Sequence, residues 1–191
     1  MGTIVLVSGS PSATARPGIV VTHTETALRA AGHTVTTVRV RDLPTVALLA
    51  EDRRDPRISA ALAAVQAADG LVVISPVYRA AYSGLVKSLL DLLPSGALAG
   101  TAVLPLATGG TQGHLVALDF VLRPLLFAMG ATRVLPGHFV PDRMITPEDE
   151  GGVETGTILP LAAAALTDVL ISFTDSLRRP RTTPTTATLT G

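Results

Sequence analysis

The chain has 191 residues, 47% of them hydrophobic and 16% charged, with 15 Lys plus Arg against 15 Asp plus Glu. These values suit one globular domain, exclude a disordered chain, and offer no net basic charge for nucleic acid or an acidic membrane surface. The lack of cysteine excludes disulfides, thiolate metal sites, Fe–S clusters and a cysteine nucleophile.

The chain enters a strand-like run directly after Met1, with no segment of signal-peptide type, and no apolar run reaches the roughly 18 residues of a membrane span. "TIVLVS" at 3–8 is short, β-branched and apolar, as a strand buried on both faces should be. A helix is expected over 17–31, opened by Pro17 and stopped at Gly32. "TVTTVRV" at 34–40 reads as a second strand with one half-exposed face, and 42–57, punctuated by Pro44 and Pro56, as irregular. The next helix places Ile58, Leu62 and Val65 on one face, and "GLVVIS" at 70–75 is a third buried strand.

"SGLVKSLLDLLP" reads as a helix with Ser83 as N-cap and Pro94 as stop. "TAVLPLAT" at 101–108 is a fourth strand, in which Pro105 is out of place. A long apolar helix over 112–129 ends at Gly130 and should kink at Pro124. "TRVLPGHFV" at 132–140 is a fifth strand, bent at Pro136 and Gly137. Residues 141–156 read as a loop, and "TILPLAAAALTDVLISFTDSL" supplies the last helix. Residues 1–178 thus read as a single domain, and the polar, Thr-rich 179–191 as a disordered tail.

Strands alternating with helices imply an α/β fold: a doubly wound, five-stranded parallel sheet with helices on both faces. Ligands of such sheets bind beyond the carboxyl ends of the strands, where the strand order reverses. Three loops should therefore converge, at 9–16, 76–83 and 109–113.

The first loop, "GSPSATAR", is neither G-x-G-x-x-G nor a Walker A loop. Its hydroxyls (Ser8, Ser10, Ser12, Thr14) and Arg16 at a helix start suit a terminal phosphate monoester. Helix caps use the same residues, so this loop alone leaves the two readings open. The second loop carries Tyr78 and Tyr82, the two tyrosines of the chain, which suit either a ring platform or core and interface packing. The third, "ATGGTQGH", offers Gly109, Gly110 and Gly113 for close approach of a ligand, or simply a tight turn. His114 stands beside it as a cap, surface or site residue. The four His residues show no metal-ligand spacing, and the loops lack a carboxylate acid or base. Phosphate hydroxyls, a ring platform and glycines without an acid or base fit a flavin, which brings its own chemistry.

Three blocks carry a resemblance: "GSP" with Arg16, "SPVYRAAYSGLVKSLLDLLPSGALAG" and "LPLATGGTQGHLVALDFVLRPLL". Together they resemble the NADPH-dependent FMN reductases over about residues 3–139. More narrowly, they look like the reductase component of two-component alkanesulfonate monooxygenase systems. The resemblance implies a flavodoxin-like fold, a cytoplasmic homodimer or homotetramer, and hydride transfer from NADPH or NADH to FMN by positioning alone. The reduced FMN would pass to a flavin-dependent monooxygenase. It assigns the FMN phosphate to Ser10 and Arg16, with Thr14 and Ala15 beside them. It assigns the isoalloxazine ring to Pro76, Val77 and Tyr78 and, from the third loop, Gly109, Gly110 and Thr111. Tyr82 and Ser83 would border the site near a subunit interface.

Two positions depart from the family pattern. Ser12 stands where an Arg is frequent. Phe120 follows Asp119 where the alkanesulfonate branch often has a Tyr, associated with a π-type bulge. An FMN-retaining quinone or azo reductase is an alternative within enzymes. A flavodoxin-type electron carrier is a second, against which a net charge near zero argues. Segments 85–93 and 115–127 are apolar on most of their surface, which predicts oligomerisation.

Overall fold

A computed structural model of the protein describes residues 1–13, 15–148 and 154–177. Its sheet grows from β1 (Thr3–Ser8), whose side chains alternate between two apolar layers. Ile4 and Leu6 join one cluster, and Val5 and Val7 the other. Both faces of β1 are therefore buried, which is why its sequence is apolar without alternation.

The first layer is closed by α1 (Arg16–Ala30) and α6 (Pro160–Leu177) through Ile19, Val20, Leu28, Leu166, Leu170 and Phe173. The second is closed by α3 (Pro56–Ala67), α4 (Gly84–Leu90) and α5 (Arg123–Ala128) through Ile58, Leu62, Val65, Val86, Leu89 and Leu126. By length and composition α6 could cross a membrane, with a mean hydropathy of 1.2, contrary to the sequence expectation. Its Leu166, Leu170 and Phe173 are instead buried against the sheet.

The strand order is β2 (Thr34–Arg39), β1, β3 (Gly70–Tyr78), β5 (Ala102–Gly109), β6 (Arg133–Val134), all parallel. Edge strand β2 buries Val35 and Val38 and leaves Thr34 and Thr36 exposed, as its polar residues imply. The chain reverses its direction of growth between β1 and β3, and the crevice lies at their carboxyl ends. The expected doubly wound α/β sheet is present.

The structure departs from the sequence expectations at five places. β3 continues to Tyr78 and turns back into the short antiparallel β4 (Ala81–Tyr82), pairing Val77 with Tyr82. Within 42–57, Thr45–Leu49 forms a short helix, α2. Its five residues are too few to show periodicity.

The fifth strand is split into β6 and β7 (His138–Pro141), with the break at 135–137. That break accommodates Pro105. In a parallel strand the N–H and C=O of alternate residues face the same neighbour, and the Val103 carbonyl accepts from the Leu135 N–H. The missing donor of Pro105 thus faces the gap, whose edge Arg123 holds by donating to the Val134 and Leu135 carbonyls.

The long helix over 112–129 is not one α-helix. A 3-10 turn at Gln112–His114 leads to a π-helical segment at Ala117–Leu122, and α5 follows. Pro124 cannot donate to the carbonyl four residues earlier, and the wider π register just before it takes up the mismatch that was expected as a kink. The expected loop over 141–156 contains a small antiparallel sheet of β8 (Ile145–Pro147) and β9 (Gly156–Ile158). Residues 178–191, including the stretch read as a disordered tail, lie outside the described residues.

Candidate functional site

The carboxyl ends of β1, β3 and β5 open onto one cleft of about 220 Å³. Ala15, Arg16 and Pro17 face it from the start of α1. Pro76, Val77 and Tyr78 form the wall at the end of β3, and Thr108, Gly109 and Gly110 the wall at the end of β5. The expected convergence of the three loops is what the topology produces.

The N-cap residue of α1 is Ala15, which has no polar side chain to cap the helix, and the first turn holds no acid. Ser10 is fully buried, and its hydroxyl donates to the Ser12 carbonyl at 2.9 Å. Arg41 also donates to that carbonyl, at 3.0 Å, and the Glu154 N–H donates to the Ala13 carbonyl at 2.9 Å. The loop's carbonyl dipoles are thus engaged from behind, while the Arg16 side chain stands exposed at the cleft. Arg16 Nε is steadied by the Ile145 carbonyl at 3.2 Å. A helix start with Ala15 at its N-cap, a guanidinium and engaged carbonyls fit the phosphate end of FMN.

The ring wall is built by a hairpin. Tyr78 is 53% exposed at the end of β3, opposite Ala81. The two turn residues, Arg79 and Ala80, hold φ of 49° and 61°, the left-handed pair that a two-residue hairpin requires. On the opposite wall Gly110 has open space where a side chain would stand. Gly109 does not, because a β-carbon there would lie 2.6 Å from His114 Nδ1. The His114 ring meets Phe139 edge-on at 6.5 Å. His114 therefore packs beneath the third loop rather than lining the cleft. A Pro–Val–Tyr wall facing glycines fits a flat ring.

The other residues named from sequence are placed as follows. Thr111 is exposed beyond the wall, and its carbonyl accepts from the His114 N–H. Thr14 lies outside the described residues. Ser83 stands at the N-cap position of α4 without capping it, off the cleft wall and 4% exposed. Its hydroxyl donates to the Gly9 carbonyl at 2.7 Å, and its N–H donates to Ser75 Oγ at 2.8 Å. It ties the first two loops together. Tyr82 packs against the core, where burial pushes its phenol up from the ordinary value. The π segment presents Phe120, 76% exposed.

Sequence reasoning missed Pro17, Thr108, Asp142 and Pro147 on the cleft. Asp142 and Pro147 come from a stretch without periodicity, and no local pattern says that it returns over the site. It also missed Arg39, Arg41 and Glu154 behind the first loop. Arg39 is held more firmly protonated by its hydrogen bond to Glu154. Among the described residues no group of three His, Asp or Glu is arranged to hold a metal.

The profile of the NADPH-dependent FMN reductases matches residues 3–143. An FMN reductase (NADPH) of Pseudomonas putida is 38% identical over 179 residues, covering 93% of this chain and 90% of the relative. A second, from Escherichia coli K12, is 57% identical over 81 residues, 42% of each chain. The apo crystal structure of an NADH:FMN oxidoreductase superimposes with a TM-score of 0.81 at 34% identity. It covers 96% of this chain and 95% of that one.

Proposed function

Because this chain belongs to the NADPH-dependent FMN reductase family, we propose that it binds FMN and NAD(P)H in the cleft formed by β1, β3 and β5 and transfers a hydride between them. The observation that carries this reading is the cleft itself: the start of α1 with Ala15 and Arg16 at one end, and the Pro76–Tyr78 wall facing Gly109 and Gly110 at the other. FMN, when bound, supplies the hydride-accepting chemistry.

The protein's contribution is placement. Arg16 and the backbone around Ala15 orient the phosphate, with Ser10 shaping the loop from within and Thr14 beside it. Pro76, Val77 and Tyr78 would line the ring from the end of β3, and Gly109, Gly110 and Thr111 would contact it from the third loop. Ser83 acts one step back, by holding the first loop against the second. Among the described residues the cleft holds one carboxylate, Asp142, on the segment after β7. The residues named here would hold the two rings in place, and none of them would act as an acid or base at the ring.

The reading extends to a flavin-dependent monooxygenase that accepts the reduced FMN in the cytoplasm, where NAD(P)H is regenerated. It also extends to a homodimer or homotetramer, supported by the exposed Leu115, Val116, Phe120 and Phe127. The described domain, followed by a tail without periodicity, is one catalytic unit per chain.

Steady-state kinetics with NADPH and NADH, varying FMN, FAD and riboflavin, test the reaction. FMN-dependent oxidation of either nucleotide is expected, and oxidation of neither with any flavin refutes it. Light scattering that reports a monomer refutes the oligomer. Flavin that co-purifies, with quinone reduction outpacing free FMN reduction, would move the protein to the quinone reductases.

A further inference from the structure

We propose that Glu154 is a positioning residue for the phosphate end of the flavin, acting through Arg41 and the backbone of the first loop. The proposal rests on the FMN reading above. Glu154 lies beyond residues 3–143, which match the family profile, yet it reaches back to the start of α1.

Glu154 is 3% exposed, an unusual place for a carboxylate, and holds φ of 61° without being glycine. Its Oε2 accepts from Arg39 Nε at 2.8 Å and lies 2.7 Å from Arg39 Nη2. Its Oε1 lies 2.9 Å from Arg41 Nη2, an ion pair without hydrogen-bond alignment. Gly18 leaves the space, since a β-carbon there would lie 2.4 Å from Glu154 Cγ. A strained backbone, a buried charge and a cleared space are costs that a purely structural contact has little reason to carry.

Two of the contacts lead to the phosphate loop. Arg41 Nη1 donates to the Ser12 carbonyl, and the Glu154 N–H donates to the Ala13 carbonyl. Arg41 is 13% exposed, and its guanidinium is held by the buried Glu154 at 2.9 Å and, from the exposed side, by Asp42 at 3.4 Å. The first loop has no strand or helix of its own. Without these ties the Ala13 carbonyl loses the donor that holds it away from the cleft, where it would repel a phosphate, and the Ser12 carbonyl keeps the Ser10 hydroxyl but loses its cationic donor.

Riboflavin, which is FMN without its phosphate, separates this role from general support of the fold. The Michaelis constants for FMN, riboflavin and NADPH should be measured for the wild type, Glu154→Ala, Glu154→Gln and Arg41→Ala. Glu154→Ala and Arg41→Ala should raise KM for FMN about tenfold, the loss expected when one charge-assisted hydrogen bond is misplaced. The riboflavin KM and kcat should hold within about twofold. Glu154→Gln keeps the shape and should recover part of the loss.

Parallel changes for FMN and riboflavin, no change for either, or a wild type that does not prefer FMN to riboflavin overturn the proposal. If Glu154→Ala does not fold, Glu154→Gln and Arg41→Lys decide it by the same ratio. Turnover of FMN by the wild type tests the functional reading separately. Quenching of flavin fluorescence on the same proteins gives the FMN-to-riboflavin affinity ratio even without turnover.

Discussion

Ser83 Oγ donates to the carbonyl of Gly9 at 2.7 Å, joining residues 74 apart in the chain at the point where two site loops meet. Ser83 is 4% exposed, and the acceptor has no water to fall back on. Ser83→Ala should therefore cost about 1–3 kcal/mol, the penalty of a buried polar group left without its partner. Urea denaturation of the two proteins checks this, with the midpoint lowered and the slope unchanged. An unchanged midpoint would mean that the tether contributes nothing.

Gly109 and His114 form a second pair. A methyl group at Gly109 would press on the imidazole at 2.6 Å, so Gly109→Ala should destabilise by about 1–3 kcal/mol through overpacking. The ring is the obstacle, so the double variant with His114→Ala should lose much less than the sum of the single changes. Additive losses in thermal melts of all four proteins would show that the backbone rather than His114 is the constraint.

The hairpin turn behind Tyr78 places Arg79 and Ala80 in left-handed conformations, which cost side-chain-bearing residues about 1–2 kcal/mol each. Ala80→Gly removes one such penalty and adds about 0.5–1 kcal/mol of unfolded-chain entropy. The net expectation is a protein about 0.5–1 kcal/mol more stable. A melting temperature below wild type would contradict the strain.

Burial holds His23 and His138 below the ordinary imidazole value. Both folded-state pKa values are thus lower than the unfolded ones. Below about pH 6.5 the unfolded chain takes up protons that the folded chain resists. Stability should be full above that pH and fall as pH drops toward the depressed folded values. His138→Asn should flatten part of this slope in melts recorded between about pH 5 and pH 8. An identical slope in the variant would exclude His138 as a source.

The α/β class, the order of the main strands and helices, and the three loops that build the cleft follow from local pattern. The run Ile4–Val7 announces a doubly buried strand because both its faces must be covered, and Ile58, Leu62 and Val65 announce a helix because they recur at its period. Pro17 and Gly32 mark the ends of α1 by their own backbone restrictions. Those signals are carried by neighbours in sequence, so they are legible without a fold. Ala15, Arg16 and the Pro76–Tyr78 wall were within reach for the same reason: the carboxyl ends of parallel strands share one edge of the sheet.

Tertiary structure alone decided what lies far apart in sequence. The break at 135–137 that faces Pro105, the π register before Pro124 and the β8–β9 hairpin depend on which strand or helix lies alongside. Ser83 has the sequence of a helix cap, yet its hydroxyl goes to Gly9, because a buried carbonyl there needs a donor more than an exposed helix end does. Glu154 sits in a stretch without periodicity, and only the path of the chain brings it to Arg39, Arg41 and the phosphate loop. Hydrogen bonds and ion pairs act over a few ångströms of space, and sequence distance says nothing of them until the chain has folded.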